Sequence, residues 1–167
     1  MDQASITRYI VEAFAQVHTD TSTADTFFFY SSYRKLPFAT LVTHDTDFDH
    51  ASHLDRPDVF GLNVGIGRET FRSFFGPRRA GGGESPYDFT ALDRVMPHPV
   101  YGAMHWVCVL NPSETTFRTV QPLLAEAYDR AVRMHARATI TAQTPADADA
   151  PPTLQESASP PERAPKA

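Results

Sequence analysis

Histidine, tyrosine and arginine carry the chemistry this sequence could perform. Three such residues, His98, Tyr101 and His105, lie close together in Met96 to Pro112, MPHPVYGAMHWVCVLNP. His98 stands between Pro97 and Pro99, whose rings restrict the backbone on both sides. A histidine held at a fixed angle suits general acid/base work, with Tyr101 as a proton donor or orienter. His105 and Trp106 are neighbours on an expected strand, so their side chains should point to opposite faces. The pattern does not decide which of the two turns inward. The plainer alternative has His98 capping a turn and His105 as a hydrogen-bonded sheet residue, since ordinary histidines outnumber catalytic ones.

Arg56 and Arg68 flank the next most ordered stretch, and with Asn63 between them they could clamp a carboxylate or phosphate. They could equally pair with Asp58, Asp93 or Glu69. Gly65-Ile66-Gly67-Arg68 could cradle an anion at a helix start. A dinucleotide fingerprint would need a third glycine where Thr70 stands, so tight-turn packing explains the glycines better. His44 to Asp58, HDTDFDHASHLDRPD, is dense in metal-ligating side chains, among them His44, Asp47, His50 and His53. It contains neither a His-Glu-x-x-His pair nor an EF-hand-type loop, and reads as a solvated acidic loop. No cofactor is expected. Cys108 has no activating partner in the sequence and belongs to a strand, where thiols are inert packing groups. The glycine-flanked serine of hydrolases and the phosphate loop of nucleotide hydrolases are missing from the sequence.

These residues need a scaffold. Ile6, Ile10, Phe14 and Val17 recur at helical spacing and predict a helix over Ser5–Gln16. His18 to Asp25 reads as a polar turn. Thr26–Tyr30 (TFFFY) and Pro37–Thr43 (PFATLVT) read as a hairpin. Val59–Ile66 predicts a third strand with Phe60, Leu62, Val64 and Ile66 on one face. A helix after Gly67 should end at Gly76-Pro77, and Arg78–Pro86 reads as a flexible insertion. Tyr87–Met96 predicts a short helix and Met104–Leu110 the fourth strand. Pro122 should split the last helix into a turn near Ser113–Thr119 and a longer piece from about Gln121 to Arg137.

The expectation is therefore a single α+β domain over residues 1–140. An antiparallel sheet of about four strands is covered on one face by N- and C-terminal helices. Residues 141–167, rich in proline, alanine and acid, form a disordered tail by composition. With 41% hydrophobic residues and 12 Phe, the chain can build a core without disulfides, and one cysteine allows none within the chain. No basic leader and no membrane-length apolar run is present, so a cytoplasmic setting is expected.

Leu54–Phe71, LDRPDVFGLNVGIGRETF, and Tyr87–Pro112, YDFTALDRVMPHPVYGAMHWVCVLNP, resemble a family of bacterial proteins defined only as a domain of unknown function. The resemblance spans roughly Ile6 to Arg137 and implies no activity. More remotely the chain is similar to the MmcQ/YjbR-like α+β fold. There a His-Trp strand, like His105-Trp106, feeds a C-terminal helix with a Tyr-x-x element like Tyr128. That likeness implies an N-terminal helix, an antiparallel sheet and a DNA-binding role.

The expected function is binding of a small ligand or protein partner in an accessory or regulatory role. The pocket would lie on the open sheet face beside the His98–His105 loop, with Trp106 among its apolar walls. A small enzyme is the first alternative, with His98 or His105 as acid/base and Arg56 or Arg68 as anion clamp. DNA binding is the second, and would need a face built from Arg68, Arg72, Arg78, Arg79 and Arg94. A net charge of −5 with only two lysines, Lys35 and Lys166, weighs against it. An exposed apolar sheet face would also suit a homodimer.

Overall fold

A computed structural model describes residues 1–32, 34–77 and 85–143. Six strands form one sheet: β1 (Val17–Asp20), β2 (Thr26–Tyr30), β3 (Ala39–Val42), β4 (Gly61–Gly65), β5 (Met96–Pro97) and β6 (Trp106–Leu110). Their order across the sheet is β1-β2-β3-β4-β6-β5, and every neighbouring pair is antiparallel. Three helices accompany it: α1 (Gln3–Ala13), α2 (Arg68–Phe75) and α3 (Glu114–Gln143).

Alternation along the strands divides the sheet into two faces with different tasks. Ala39 and Leu41 of β3, Leu62 and Val64 of β4, and Val107 and Val109 of β6 share one face. Against it pack Ile6 and Ile10 of α1 and Phe117, Val120, Leu123 and Leu124 of α3, all buried. Each such aliphatic chain contributes about 1.5–3 kcal/mol when taken fully out of water. The expected burial of Phe60, Leu62, Val64 and Ile66 is met. The other face carries Thr40 opposite Asn63, Asn63 opposite Cys108, and Gly65 opposite Trp106. Loop residues 43–58, rather than a helix, cover much of this second face.

Three sequence expectations need correcting. The sheet has six strands, not about four, because His18 to Asp20, expected in a turn, pairs with β2 as an edge strand, and Met96-Pro97 adds a short second edge. Edges tolerate polar residues and proline that a central strand would not. Tyr87–Met96 contains no helix. Asp88 accepts hydrogen bonds from Thr90 N–H at 3.0 Å and Thr90 Oγ1 at 2.7 Å, which closes a turn that competes with a helix. Asp93 then takes a left-handed conformation (φ 57°) and holds the residue ahead of α3, accepting from Ser113 N–H at 2.6 Å, while Ser113 Oγ caps the helix by accepting from Thr116 N–H at 3.2 Å.

Nor does Pro122 split α3, which is one 30-residue helix. Proline removes only the bond to the Arg118 carbonyl, and Pro122 is exposed, so water reaches that oxygen. Phe117 and Val120 before it and Leu123 and Leu124 after it are all seated in the core, and that packing holds the helix together. The helix starts at the expected place, just after Asn111-Pro112. It passes Ile140 and reaches Gln143. The rest of the tail, 144–167, and Arg78–Glu84 of the expected insertion lie outside the described residues.

Candidate functional site

Between the second sheet face and the 43–58 loop lies a cavity of about 560 Å³. Its floor is the polar-to-aromatic strip of the sheet: Phe27, Thr40, Val42, Asn63 and Trp106. The loop supplies His44, Asp49, Ser52 and Leu54 from above, and the Pro97–Met104 segment closes the side with His98 and Tyr101. Thr40 and Asn63 are buried and satisfy one another, Asn63 Nδ2 donating to Thr40 Oγ1 at 3.2 Å.

Trp106 reaches the floor because Gly65 sits beside it on β4. A Cβ at Gly65 would come within 3.1 Å of the indole ring, so glycine leaves the space the ring occupies. The loop is folded by its own carboxylates. Asp45 Oδ1 accepts from Leu54 N–H at 2.8 Å, and Asp55 Oδ1 accepts from Asp45 N–H at 3.0 Å. Thr46 and Asp49 exchange backbone bonds at 3.1 Å, and Asp49 Oδ1 takes the Ala51 N–H at 3.2 Å. Arg56 ties down the far end, donating to the carbonyls of His53, Ser52 and Thr90 at 2.8, 3.2 and 3.1 Å.

His98 is 6% exposed. Its Nδ1 accepts from both Val100 N–H and Tyr101 N–H at 3.2 Å. Those two donors fix the tautomer, so the ring proton is on Nε2. That nitrogen points toward Asp49 Oδ2 at 3.8 Å, too far for a hydrogen bond. Burial lowers the His98 pKa from the usual 6.5 to about 4, against the raising pull of Asp49, so the ring is neutral at pH 7. The turn-capping alternative for His98 is what the geometry realises, and its other nitrogen still faces the cavity.

The sequence-derived site residues divide sharply. His98, Tyr101, Asn63 and Trp106 line the cavity, as do His44 and Asp47. His105 does not. It sits at φ 65° after the 3-10 turn Tyr101–Met104, ahead of β6 rather than in it, and its ring meets Phe71 of α2 at 5.4 Å. The premise that His105 and Trp106 alternate on a strand therefore fails. Arg56 serves the loop, and Arg68 is exposed at the start of α2. His50 and His53 are exposed away from the cavity. Among the described residues no three His, Cys, Asp or Glu side chains converge as a metal site would require.

Asp25 was not singled out from the sequence, and Asp49 only as one of the loop's many possible metal ligands, yet both line the cavity. Asp25 is 7% exposed, accepts from Thr43 N–H at 3.0 Å, and lies 3.3 Å from His44 Nδ1, which is buried and makes no hydrogen bond. Their partners are distant in sequence, so no local motif marks them. Cys108 lies beside Asn63 on the same sheet face, outside the cavity lining, where burial and then Asp49 push its thiol up to about 12; its Sγ faces the Pro97 carbonyl at 3.7 Å. At pH 7 it is held as the neutral thiol.

A family model described as a family of unknown function (DUF6194) matches residues 1–140. No curated protein and no solved structure matches the chain. No helix among the described residues is long and apolar enough to cross a membrane.

Proposed function

The chain belongs to the family of unknown function DUF6194, a premise that lends no reaction, and on the geometry we propose that it binds a small, largely apolar molecule in the cavity under the 43–58 loop, without turnover. The observation that carries this reading is the cavity itself. Its volume of about 560 Å³ suits a small organic ligand, and its walls combine aromatic and aliphatic side chains with a few fixed polar groups.

The geometry lends the enzyme alternative less support. His98 offers only an N–H donor on a ring that is neutral at pH 7, His105 is turned to Phe71, and neither Arg56 nor Arg68 reaches the cavity as an anion clamp. A role as general base would need the Nδ1 lone pair that the turn already uses.

The test uses Trp106, the single tryptophan of the chain, as a reporter on the cavity floor. A small-molecule library is screened by thermal shift, and hits are titrated against tryptophan emission. A ligand of this cavity raises the melting midpoint and changes Trp106 emission together. The cavity-filling variant Val42→Phe should lose both effects while remaining folded. Hits that stabilise Val42→Phe as well as wild type would place binding elsewhere and overturn the reading.

One observation favours a second reading, in which a protein partner covers the cavity mouth. Phe48 is 81% exposed, and Leu36 and Met104 beside the same cavity are exposed too. A second copy of the chain is the simplest such partner, and light scattering across a concentration series would detect it. The MmcQ/YjbR-like kinship, resting on the His105-Trp106 and Tyr128 likeness, the bacterial origin, resting on the Leu54–Phe71 and Tyr87–Pro112 likeness, and the cytoplasmic setting, resting on the lone cysteine, belong to this proposal. DNA binding ranks below both readings, because the net charge is acidic.

A further inference from the structure

We infer that the cavity selects a cationic amine carried on an apolar or aromatic body, a step that deepens the binding reading and rests on it. Three carboxylates, Asp25, Asp47 and Asp49, line the cavity, and among the described residues no lysine or arginine does. Histidines are the only bases present, and the one facing Asp49 does not balance it. His98 carries its proton on Nε2 as a neutral ring, and burial opposes adding a second.

Asp49 is built to meet a ligand. Its Oδ1 is occupied by the Ala51 N–H, while Oδ2 is left 3.8 Å from His98 Nε2, beyond hydrogen-bond reach. His98 Nε2 makes no hydrogen bond among the described residues, and the buried nitrogen left without a partner is His44 Nδ1, which lines the same cavity. A donor and an acceptor thus face the same space with neither satisfying the other. A carboxylate partly withdrawn from water beside apolar walls is costly unless a cation answers it. An ammonium can donate to Asp49 Oδ2 and still leave the His98 N–H directed at the same carboxylate.

The walls fit the remainder of such a molecule. Phe27, Phe48, Tyr101 and Trp106 present ring surface to the cavity, which attracts cations through their π faces and takes up an aromatic body. An anionic ligand would face three carboxylates with no lysine or arginine among the described lining residues to receive it.

The experiment compares matched ligands differing only in the terminal group. Tryptamine, tryptophol and indole-3-acetate form one series, and the phenyl and cyclohexyl counterparts form two more. Affinities are measured by calorimetry at pH 7.5 on the full chain, alongside Asp49→Asn, which keeps an acceptor for the Ala51 N–H. The amine of at least one series should bind tenfold or more tighter than its alcohol, with the carboxylate weakest. Asp49→Asn should erase that preference, the amine losing far more affinity than the alcohol. Raising NaCl to 1 M should weaken the amine and spare the alcohol, a contrast that does not depend on any variant folding.

Alcohols or carboxylates that equal or exceed the amines would overturn the amine inference and leave the binding reading standing. So would an amine preference that survives both Asp49→Asn and high salt. If no member of any series binds, the amine inference fails, and the open library then decides the binding reading separately.

Discussion

The indole of Trp106 lies against Gly65 on the neighbouring strand, so closely that a Cβ there would stand 3.1 Å from two of its ring carbons. The two residues are register partners at the end of the β4–β6 pairing. Glycine at this position sets where the cavity floor ends, because any side chain would push the indole toward the ligand space. Gly65→Ala should therefore shift Trp106 emission and cost about 1 kcal/mol, the scale of mild overpacking. Gly65→Val, with two further methyl groups, should cost more, up to about 3 kcal/mol. Unchanged emission in both variants, read against wild type in the same buffer, would show that the ring does not rest on Gly65.

Acid should weaken the fold through His98. The unfolded chain takes up a proton on this ring near the usual pKa of 6.5, whereas the folded chain resists until about pH 4. Between those values the unfolded state binds more protons, so stability falls as pH falls. The contribution is fully present above pH 6.5 and is lost across that window, amounting to roughly 3 kcal/mol at most. Asp49 faces the ring from the 43–58 loop, Tyr101 packs on it at 4.9 Å, and the Cys108 thiol lies behind Pro97. His98→Asn keeps an acceptor for the Val100 and Tyr101 N–H groups and removes the titration. Urea melts from pH 7.5 to 4 should then show a flatter profile than wild type. Parallel profiles would mean that His98 does not carry the acid sensitivity.

Cys108 should resist alkylation in the native protein. Its thiol is buried, its pKa is pushed up to about 12, and the thiolate is the reacting form. Iodoacetamide at pH 8 should label the folded chain more than a hundredfold slower than the urea-unfolded chain. Comparable rates would mean that the sheet around Cys108 opens readily.

The strand alternation of Phe60, Leu62, Val64 and Ile66 and the apolar spacing of Ile6 and Ile10 announce the helix-covered face, because a buried face imposes its period on the sequence. The hairpin of β2 and β3 is legible for the same reason. Edge strands are not: His18 to Asp20 is polar because one side of an edge meets water, and only its pairing with Phe27 to Phe29 makes it a strand. Local rules also misjudge Pro122, where core contacts on both sides outweigh one missing hydrogen bond. The site is half legible. His98 and Tyr101 are marked by the prolines around them, but His105 leaves the strand at a left-handed residue that no alternation rule foresees. Asp49 becomes a cavity residue only when the loop folds back over the sheet, a long-range event with no short motif.

The start of α2 is capped from α3, and this joins the two helices at one point. Gly67 N–H donates to Glu126 Oε1 at 2.8 Å, and a Cβ on Gly67 would lie 2.2 Å from that same oxygen. The carboxylate therefore fills the space a side chain at Gly67 would need. Its negative charge also suits the positive end of the helix dipole. Gly67→Ala should displace Glu126 and destabilise the chain by about 1–2 kcal/mol, through loss of a charge-assisted cap. Glu126→Ala should cost a similar amount, since it removes the same bond. The double variant should cost little more than either alone, because both substitutions break one interaction. Chemical denaturation of the four proteins measures the coupling directly. Strict additivity would mean that the oxygen and the glycine act independently, and that α2 is held by Phe71 and Phe75 packing against the core rather than by its cap.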